Sequence, residues 1–506
     1  MEIKLRNRSK AMLLLSLLAF VGMVYAYARI DMGLPEPKKV SSSHIRGRIL
    51  TESGLVLAQT VDGRRQYPQK SLAGQLVGFM GKEQGMAGLE LNFESDLAAG
   101  RDVTVTLDPA FQTVAESTLA KYTVEHGGES GSLVALEVGT GRILAVANYP
   151  AFDPNPDYWQ VTTHQVGVRE PVSVLREAAA GGALPPPLPP TPALEAPLAA
   201  TQPHPDQIWS DERPVREHLD PISSINHAFF DAFEPGSVAK ALTVAALIND
   251  DAVNLNRYFS TPMTRRIGRY TIHDAVARPA GMGSLDVQGI LRYSSNVGMS
   301  HLVENYSPQR LHDYFAAYGL GQTLELGGVR TENGLLNDWQ HWGDIGRVNN
   351  SFGQGFSTTT LQMAGAYSVI AADGLYLRPQ LVVGKTFTPE ITHRVLRPQT
   401  AQTVRHFLQY IVEEGIPGQA AVPGYELGGK TGTAQIVVGS RYSSTLFNSV
   451  FSGIFPLNNP RVSMVVMVHG AKEHYHGSQL AAPIFRDVAA EMVAQWGLAP
   501  EKLASK

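Results

Sequence analysis

Positions 11–28 form an almost unbroken apolar run, preceded by Lys4, Arg6, Arg8 and Lys10 and carrying Tyr25 and Tyr27 near its end. A helix over that run, at about 1.5 Å per residue, is about 27 Å long, close to the roughly 30 Å of a hydrocarbon core. The basic residues belong on the cytoplasmic side and the tyrosines in an interfacial belt. This predicts a cytoplasmic tail over 1–10, one transmembrane helix over 11–29, and the rest of the chain outside the cytoplasmic membrane. Ala26-Tyr27-Ala28 also fits the cleavage site of a signal peptide, but the apolar run is longer than such peptides carry, which favours a retained anchor. No later stretch is long and apolar enough to span a bilayer.

Beyond the anchor the pattern shortens. Between about 30 and 104, the runs 47–50, 54–58 and 103–107 read as strands between Gly-containing turns, predicting a small, mostly-β pedestal. Residues 132–138 and 142–147 alternate as two strands joined by a tight turn, and 237–248 reads as a buried helix. The strand pattern returns at 426–438, 448–455 and 462–468, followed by a helix over about 482–496. Strands, then helices, then strands with a terminal helix describe an α+β or α/β sheet domain over 105–498, with a short tail over 499–506. Interrupting it, about 178–205 is rich in Ala and Pro with little to bury, and is expected to be an extended solvated insertion.

Composition narrows the chemistry. With 506 residues, 43% of them hydrophobic, the chain can bury a large core. A net charge of -4 without long single-sign blocks leaves no basic face for nucleic acid. The absence of cysteine excludes disulfides, thiolate metal sites and a cysteine nucleophile. Glu473, His474 and His476 are capable of binding a metal, but their spacing is weak for it and a surface role is the better expectation. Gly128-Glu129-Ser130-Gly131-Ser132 misses the last glycine of a hydrolase nucleophile elbow. No phosphate-binding glycine loop with its lysine appears. No cofactor and no metal is expected.

The chemistry concentrates in three motifs. In Glu234-Pro235-Gly236-Ser237-Val238-Ala239-Lys240, a serine at a turn-to-helix junction shares a helix face with a lysine one turn on. A serine hydroxyl becomes a strong nucleophile when a base removes its proton, and a lysine amine can do so if burial and neighbouring positive charge keep it neutral. On its own this pairing is common, and a helix-capping serine followed by a solvated lysine explains it equally well. The order Ser237/Lys240, then Ser294-Ser295-Asn296, then Lys430-Thr431-Gly432-Thr433 is far more specific and matches the penicillin-recognising serine enzymes. In this arrangement Ser237 attacks an amide carbonyl, and backbone amides near Ser237 and Thr433 stabilise the oxyanion. Ser294 passes a proton to the leaving amine, and Asn296 offers a donor and an acceptor to the substrate backbone. Thr431 and Thr433 share one face of a strand, and Gly432 leaves room for an extended peptide alongside it. Lys430 adds positive charge that helps hold Lys240 neutral and favours a substrate carboxylate.

The chain resembles the monofunctional, class B penicillin-binding proteins, and among them most closely the cell-division peptidoglycan transpeptidases. Residues carrying the resemblance include Arg46-Gly47-Arg48-Ile49, Gly85-Met86-Ala87-Gly88-Leu89-Glu90, Gly139-Thr140-Gly141-Arg142, Phe352-Gly353-Gln354-Gly355 and the three motifs. It implies a penicillin-binding, β-lactamase-like domain with an antiparallel sheet flanked by helices. It also implies D,D-transpeptidase activity on stem peptides ending in D-Ala-D-Ala, covalent inhibition by β-lactams, and partnership with a polytopic glycan polymerase and division proteins. The pedestal is shorter than in division enzymes, and the Pro-rich insertion has no counterpart. A D-alanine carboxypeptidase, an elongation-type transpeptidase and a non-enzymatic sensor or scaffold use the same motifs. A β-lactamase would need a water-delivering base, for which Glu332 and Asn337 are poorly spaced.

Overall fold

The strand Val462–Ala471 has only one residue that is not fully buried, so both of its faces must meet apolar layers. It belongs to a five-stranded sheet built from β1 (Ser130–Glu137), β2 (Ile143–Tyr149), β3 (Gly428–Val438), β4 (Arg441–Phe455) and β5 (Val462–Ala471). The order is β3-β4-β5-β1-β2, and every neighbouring pair is antiparallel. These features come from a computed structural model that describes residues 45–155, 224–279, 281–384, 391–438 and 441–500. The tail over 1–10, the transmembrane expectation at 11–29, the Ala/Pro-rich insertion at about 178–205 and residues 501–506 lie outside the described residues. Among the described residues, no helix is long and apolar enough to cross a membrane.

Alternation along the strands divides the core in two. Leu133, Ala135, Phe451, Phe455, Met464 and Val466 face one helical layer, formed by α1 (Pro109–Glu125) and by a C-terminal helix, Ala481–Gln495. There Phe451 and Phe485 pack with ring centroids 4.7 Å apart, and Phe455 meets Phe485 edge-on at 5.6 Å. Val134, Leu136, Val450, Ile454, Val465 and Met467 face the other layer, which holds α2 (Ala239–Asn249), α3 (Asn296–Leu302) and α4 (Thr360–Ala371). Helix α2 is buried from Ala239 to Leu247, and apart from Lys240 and Thr243 its residues over that stretch are apolar on every face. Helix α4 starts on a capping box, with Thr359 and Gln362 satisfying each other's backbone amides. Two buried hydroxyls in this layer are paired: Ser132 with Thr360 at 2.7 Å, and Ser463 with the Ala364 carbonyl at 2.9 Å.

The sheet strands read from the sequence are present; the largest difference is that β4 starts at Arg441 rather than 448, as a hairpin arm with β3. The segment 441–447 is too polar to register as a strand by alternation.

The pedestal departs from its expected mostly-β character. Its four-stranded sheet (Ile49–Thr51, Val56–Val61, Arg64–Gln66, Val103–Val105) is accompanied by short helices at Gly74–Val77, Gly88–Asn92 and Glu94–Ala98. Helices of one turn are too short for a 3.6-residue period to reveal. They are held from outside, in part by Glu90, fully buried and paired with Arg65 at 2.7 Å. The described residues from Gly47 onward form one compact unit, and Ile49, Leu57, Val103 and Val105 share a core with α2 and α4.

Candidate active site

Ser237 sits in a short 3-10 turn, Gly236–Val238, that runs directly into α2. Ser237 is partly exposed, whereas Lys240, on the first turn of α2, is fully buried. The turn is fixed by backbone contacts that require glycine. The Gly236 amide donates to the Gly353 carbonyl at 2.9 Å. A side chain at Gly353, whose φ is +85°, would place Cβ 2.0 Å from the Gly236 oxygen. From the core side, Tyr367 donates its hydroxyl to the Val238 carbonyl at 2.7 Å, and Thr243 donates to the Ser351 carbonyl at 2.8 Å.

The second motif forms a turn at the start of α3. Ser295 caps that helix, its hydroxyl accepting from the Gly298 amide at 2.8 Å. Ser294 has φ +53°, a left-handed conformation uncommon for a residue with a side chain. The Lys240 amine donates to the Ser294 carbonyl at 2.5 Å and to its hydroxyl at 3.0 Å. Asn296 donates its side-chain amide to the His273 carbonyl at 2.9 Å.

The third motif lies on β3, an edge strand of the main sheet. Lys430 is 1% exposed and donates to the Ser294 hydroxyl at 3.1 Å and to the Thr431 carbonyl at 3.0 Å. At Gly432 the strand passes so close to the nucleophile turn that an added Cβ would lie 2.7 Å from the Pro235 oxygen. Thr433 accepts from the Gly477 amide at 3.0 Å, and beside it Tyr475 stacks on Phe447 with ring centroids 3.9 Å apart.

Two amines therefore meet at one serine hydroxyl in a buried site. Burial, and then the charge of Lys430, hold the Lys240 amine well below its ordinary value of 10.5, while Asp274 pulls the other way. Burial brings Lys430 down to about 7. Burial thus disfavours the charged form of both amines relative to an ordinary lysine.

Of the residues read from sequence, Ser294, Lys240 and Lys430 are in direct contact, Ser237 lies one turn from Lys240, and Thr431, Gly432 and Thr433 run along the strand beside it. Asn296 is in the same turn, with part of its donor capacity already used on His273. Sequence reasoning gave no role to Gly353, to Gly477 or to Asp274, whose carboxylate accepts from Ser295 and from the Val297 amide. The first could have been suspected from its place in Phe352-Gly353-Gln354-Gly355; an isolated aspartate carries no such signal. Among the described residues, Glu332 and Asn337 make no hydrogen bond to the two lysines or to Ser294: the Glu332 carboxylate accepts from the Asn333 amide and the Asn337 carbonyl from Trp342.

The penicillin binding protein transpeptidase domain model matches residues 131–490, a span that includes the Ser237 turn, the two lysines and the edge strand. The chain belongs to that family. Within it, the chain is similar to the probable peptidoglycan D,D-transpeptidase PenA of Neisseria flavescens, 30% identical over 405 residues, covering 80% of this chain and 85% of that one. It is also similar to the peptidoglycan D,D-transpeptidase FtsI of Escherichia coli K12, 27% identical over 473 residues, covering 88% and 69% of the two chains. Among solved structures, penicillin binding protein 3 of Mycobacterium tuberculosis complexed with aztreonam superposes with a TM-score of 0.71 at 27% identity, covering 92% of this chain and 99% of that one.

The glycine contacts give a paired prediction. Gly353→Ala should lower stability by more than about 2 kcal/mol, since the methyl meets backbone at a positive φ. Gly365→Ala, within α4 and with no atom closer than 3.8 Å to the added carbon, should be neutral or stabilise by up to about 1 kcal/mol. Urea unfolding of both variants checks this; equal effects would contradict the close approach at the nucleophile turn.

Proposed function

We propose that this chain is a peptidoglycan D,D-transpeptidase in which Ser237 is the nucleophile and neutral Lys240 its base. The observation that carries this reading is the convergence of Lys240 and Lys430 on Ser294 beside the Ser237 turn. A neutral amine has two N–H donors and one lone pair. Both donors of Lys240 are used by the carbonyl and hydroxyl of Ser294, which leaves the lone pair for the Ser237 proton. The Ser294 hydroxyl accepts from both amines and keeps its own hydrogen free to donate.

The reaction follows in two halves. Ser237 Oγ attacks the carbonyl of the penultimate D-alanine as Lys240 takes its proton, and amides near Ser237 and Thr433 hold the oxyanion. The proton passes through Ser294 to the departing D-alanine nitrogen, the amide bond breaks, and an acyl-enzyme remains. An amine on a neighbouring stem peptide then attacks that ester, gives up its proton along the same route, and restores the Ser237 hydroxyl. The donor peptide lies along β3 as an added strand, with Asn296, Thr431, Gly432 and Thr433 against its backbone. β-Lactams are amides that enter the same first half and stop at the acyl-enzyme. In this reading the catalytic domain works outside the cytoplasmic membrane, anchored through 11–29, and serves septal wall synthesis beside a polytopic glycan polymerase; the resemblance to division transpeptidases supports this role.

Fluorescent penicillin should label the chain covalently. Ser237→Ala should abolish the label and Lys240→Met should slow it by about a thousand-fold or more, both in folded protein. Incubation with stem peptide and an acceptor amine should give cross-linked dimers by mass spectrometry; hydrolysed peptide alone would instead mark a carboxypeptidase. A fluorescent fusion should collect at mid-cell during division, and a side-wall signal would refute the septal role.

A further inference from the structure

The catalytic scheme above, on which this inference rests, needs Ser294 aimed at both lysines, yet nothing in that scheme explains how its left-handed backbone is held. Behind the turn lies a buried carboxylate. Asp274, whose side chain is 3% exposed, accepts from the Ser295 hydroxyl at 2.7 Å and from the Val297 amide at 2.9 Å. The preceding His273 supplies its carbonyl to Asn296. Two consecutive residues at the end of the 264–273 hairpin thus hold Ser295, Asn296 and Val297, the three residues that follow Ser294.

The hairpin end is itself tied down. The Asp274 amide donates to the Met263 carbonyl at 2.9 Å. Arg278, with a side chain 5% exposed, pairs with Asp274 at 3.1 Å and donates to the Thr261 hydroxyl at 2.6 Å and to the Thr261 carbonyl. Thr261 is 1% exposed. A buried carboxylate with two hydrogen-bond donors and a guanidinium around it has little freedom to move. Non-glycine residues keep a left-handed φ when the structure around them over-determines it.

We propose that Asp274 is a positioning residue: with Arg278 it clamps the 295–297 backbone and thereby fixes Ser294 so that its carbonyl and hydroxyl meet Lys240 and Lys430. A helix cap alone would explain the Ser295 and Val297 contacts equally well. What separates the two is charge. The charged groups acting on Lys240 are Lys430 on the edge strand and Asp274 on the hairpin, with Arg278 behind it. A residue that both holds the turn and belongs to this set must alter the optimal rate and the pH dependence of acylation together, whereas a cap outside it alters the melting temperature alone.

The test is stopped-flow acylation of the full chain by a fluorescent penicillin across pH 5 to 10, alongside thermal melts, for wild type, Asp274→Asn and Arg278→Met. Asp274→Asn keeps the shape but removes the negative charge and the ion pair. It should acylate about ten- to a hundred-fold more slowly at its optimum, the scale of a small misplacement of a reacting group. Its acid limb should move to lower pH, because Lys240 loses a neighbouring negative charge that favours its charged form. Arg278→Met leaves the carboxylate charged and unpaired, and its acid limb should move to higher pH. Opposite movements support the clamp, and should Asp274→Asn fail to fold, the Arg278→Met shift decides alone. Acid limbs that stay with the wild type, whatever the melting temperatures, would reduce Asp274 to a helix cap. Wild-type protein that takes no label at Ser237 would instead overturn the transpeptidase reading itself.

Discussion

The site depends on keeping two lysine amines dry. An ammonium moved from water into a protein interior loses several kcal/mol of solvation, and two facing each other add repulsion. The fold answers by shifting both amines towards the neutral form, and in the proposed mechanism it is neutral Lys240 that takes a proton from Ser237. The same arrangement has a cost in stability whose sign is fixed. Lys430, held at about 7 in the folded chain against about 10.4 when unfolded, is protonated first in the unfolded state as pH falls. Its contribution is therefore complete above the unfolded value and is lost as pH drops from there towards 7. Function at neutral pH is bought with part of the stability available in alkali.

Dryness in turn requires rigid walls on every side, and the topology supplies them. Lys240 is on a buried helix, Lys430 is on the edge strand of a sheet buried on both faces, and Ser294 lies in the turn between them. Around the Ser237 turn and the edge strand, backbones approach closely because glycine removes side chains where they meet: Gly353 against Gly236, Gly432 against Pro235, and Gly477 against Gly432. Ser237, Ser294, Asn296, Thr431 and Thr433 are partly exposed, which leaves the site accessible from solvent. The sheet places β1, from the first part of the domain, beside β5, from its last, so the site closes when both ends of the domain are in place.

Much of this was legible in the sequence because its signals are local or ordered. The run at 462–468 is continuously apolar because β5 is buried on both faces, and Ser237 and Lys240 share a face because a helix turns every 3.6 residues. The convergence on Ser294 could be read from the order of three motifs, but its distances could not. Asp274 was illegible for a physical reason: its role depends on a hairpin that folds back over a turn reached later in the chain. The one-turn pedestal helices escaped for a related reason, since their stability comes from partners such as Arg65 and not from their own periodicity.

The central claim is that Lys240 is an uncharged amine in the resting enzyme. Side-chain nitrogen NMR of protein labelled with [15N]lysine, with the Lys240 signal assigned by its loss in a Lys240→Met sample, measures that charge directly across a pH titration. The account predicts a neutral Nζ at pH 7.5 that becomes protonated only well below the 10.5 of an ordinary lysine. A Lys240 signal that stays an ammonium up to the pH at which surface lysines lose their protons would contradict it.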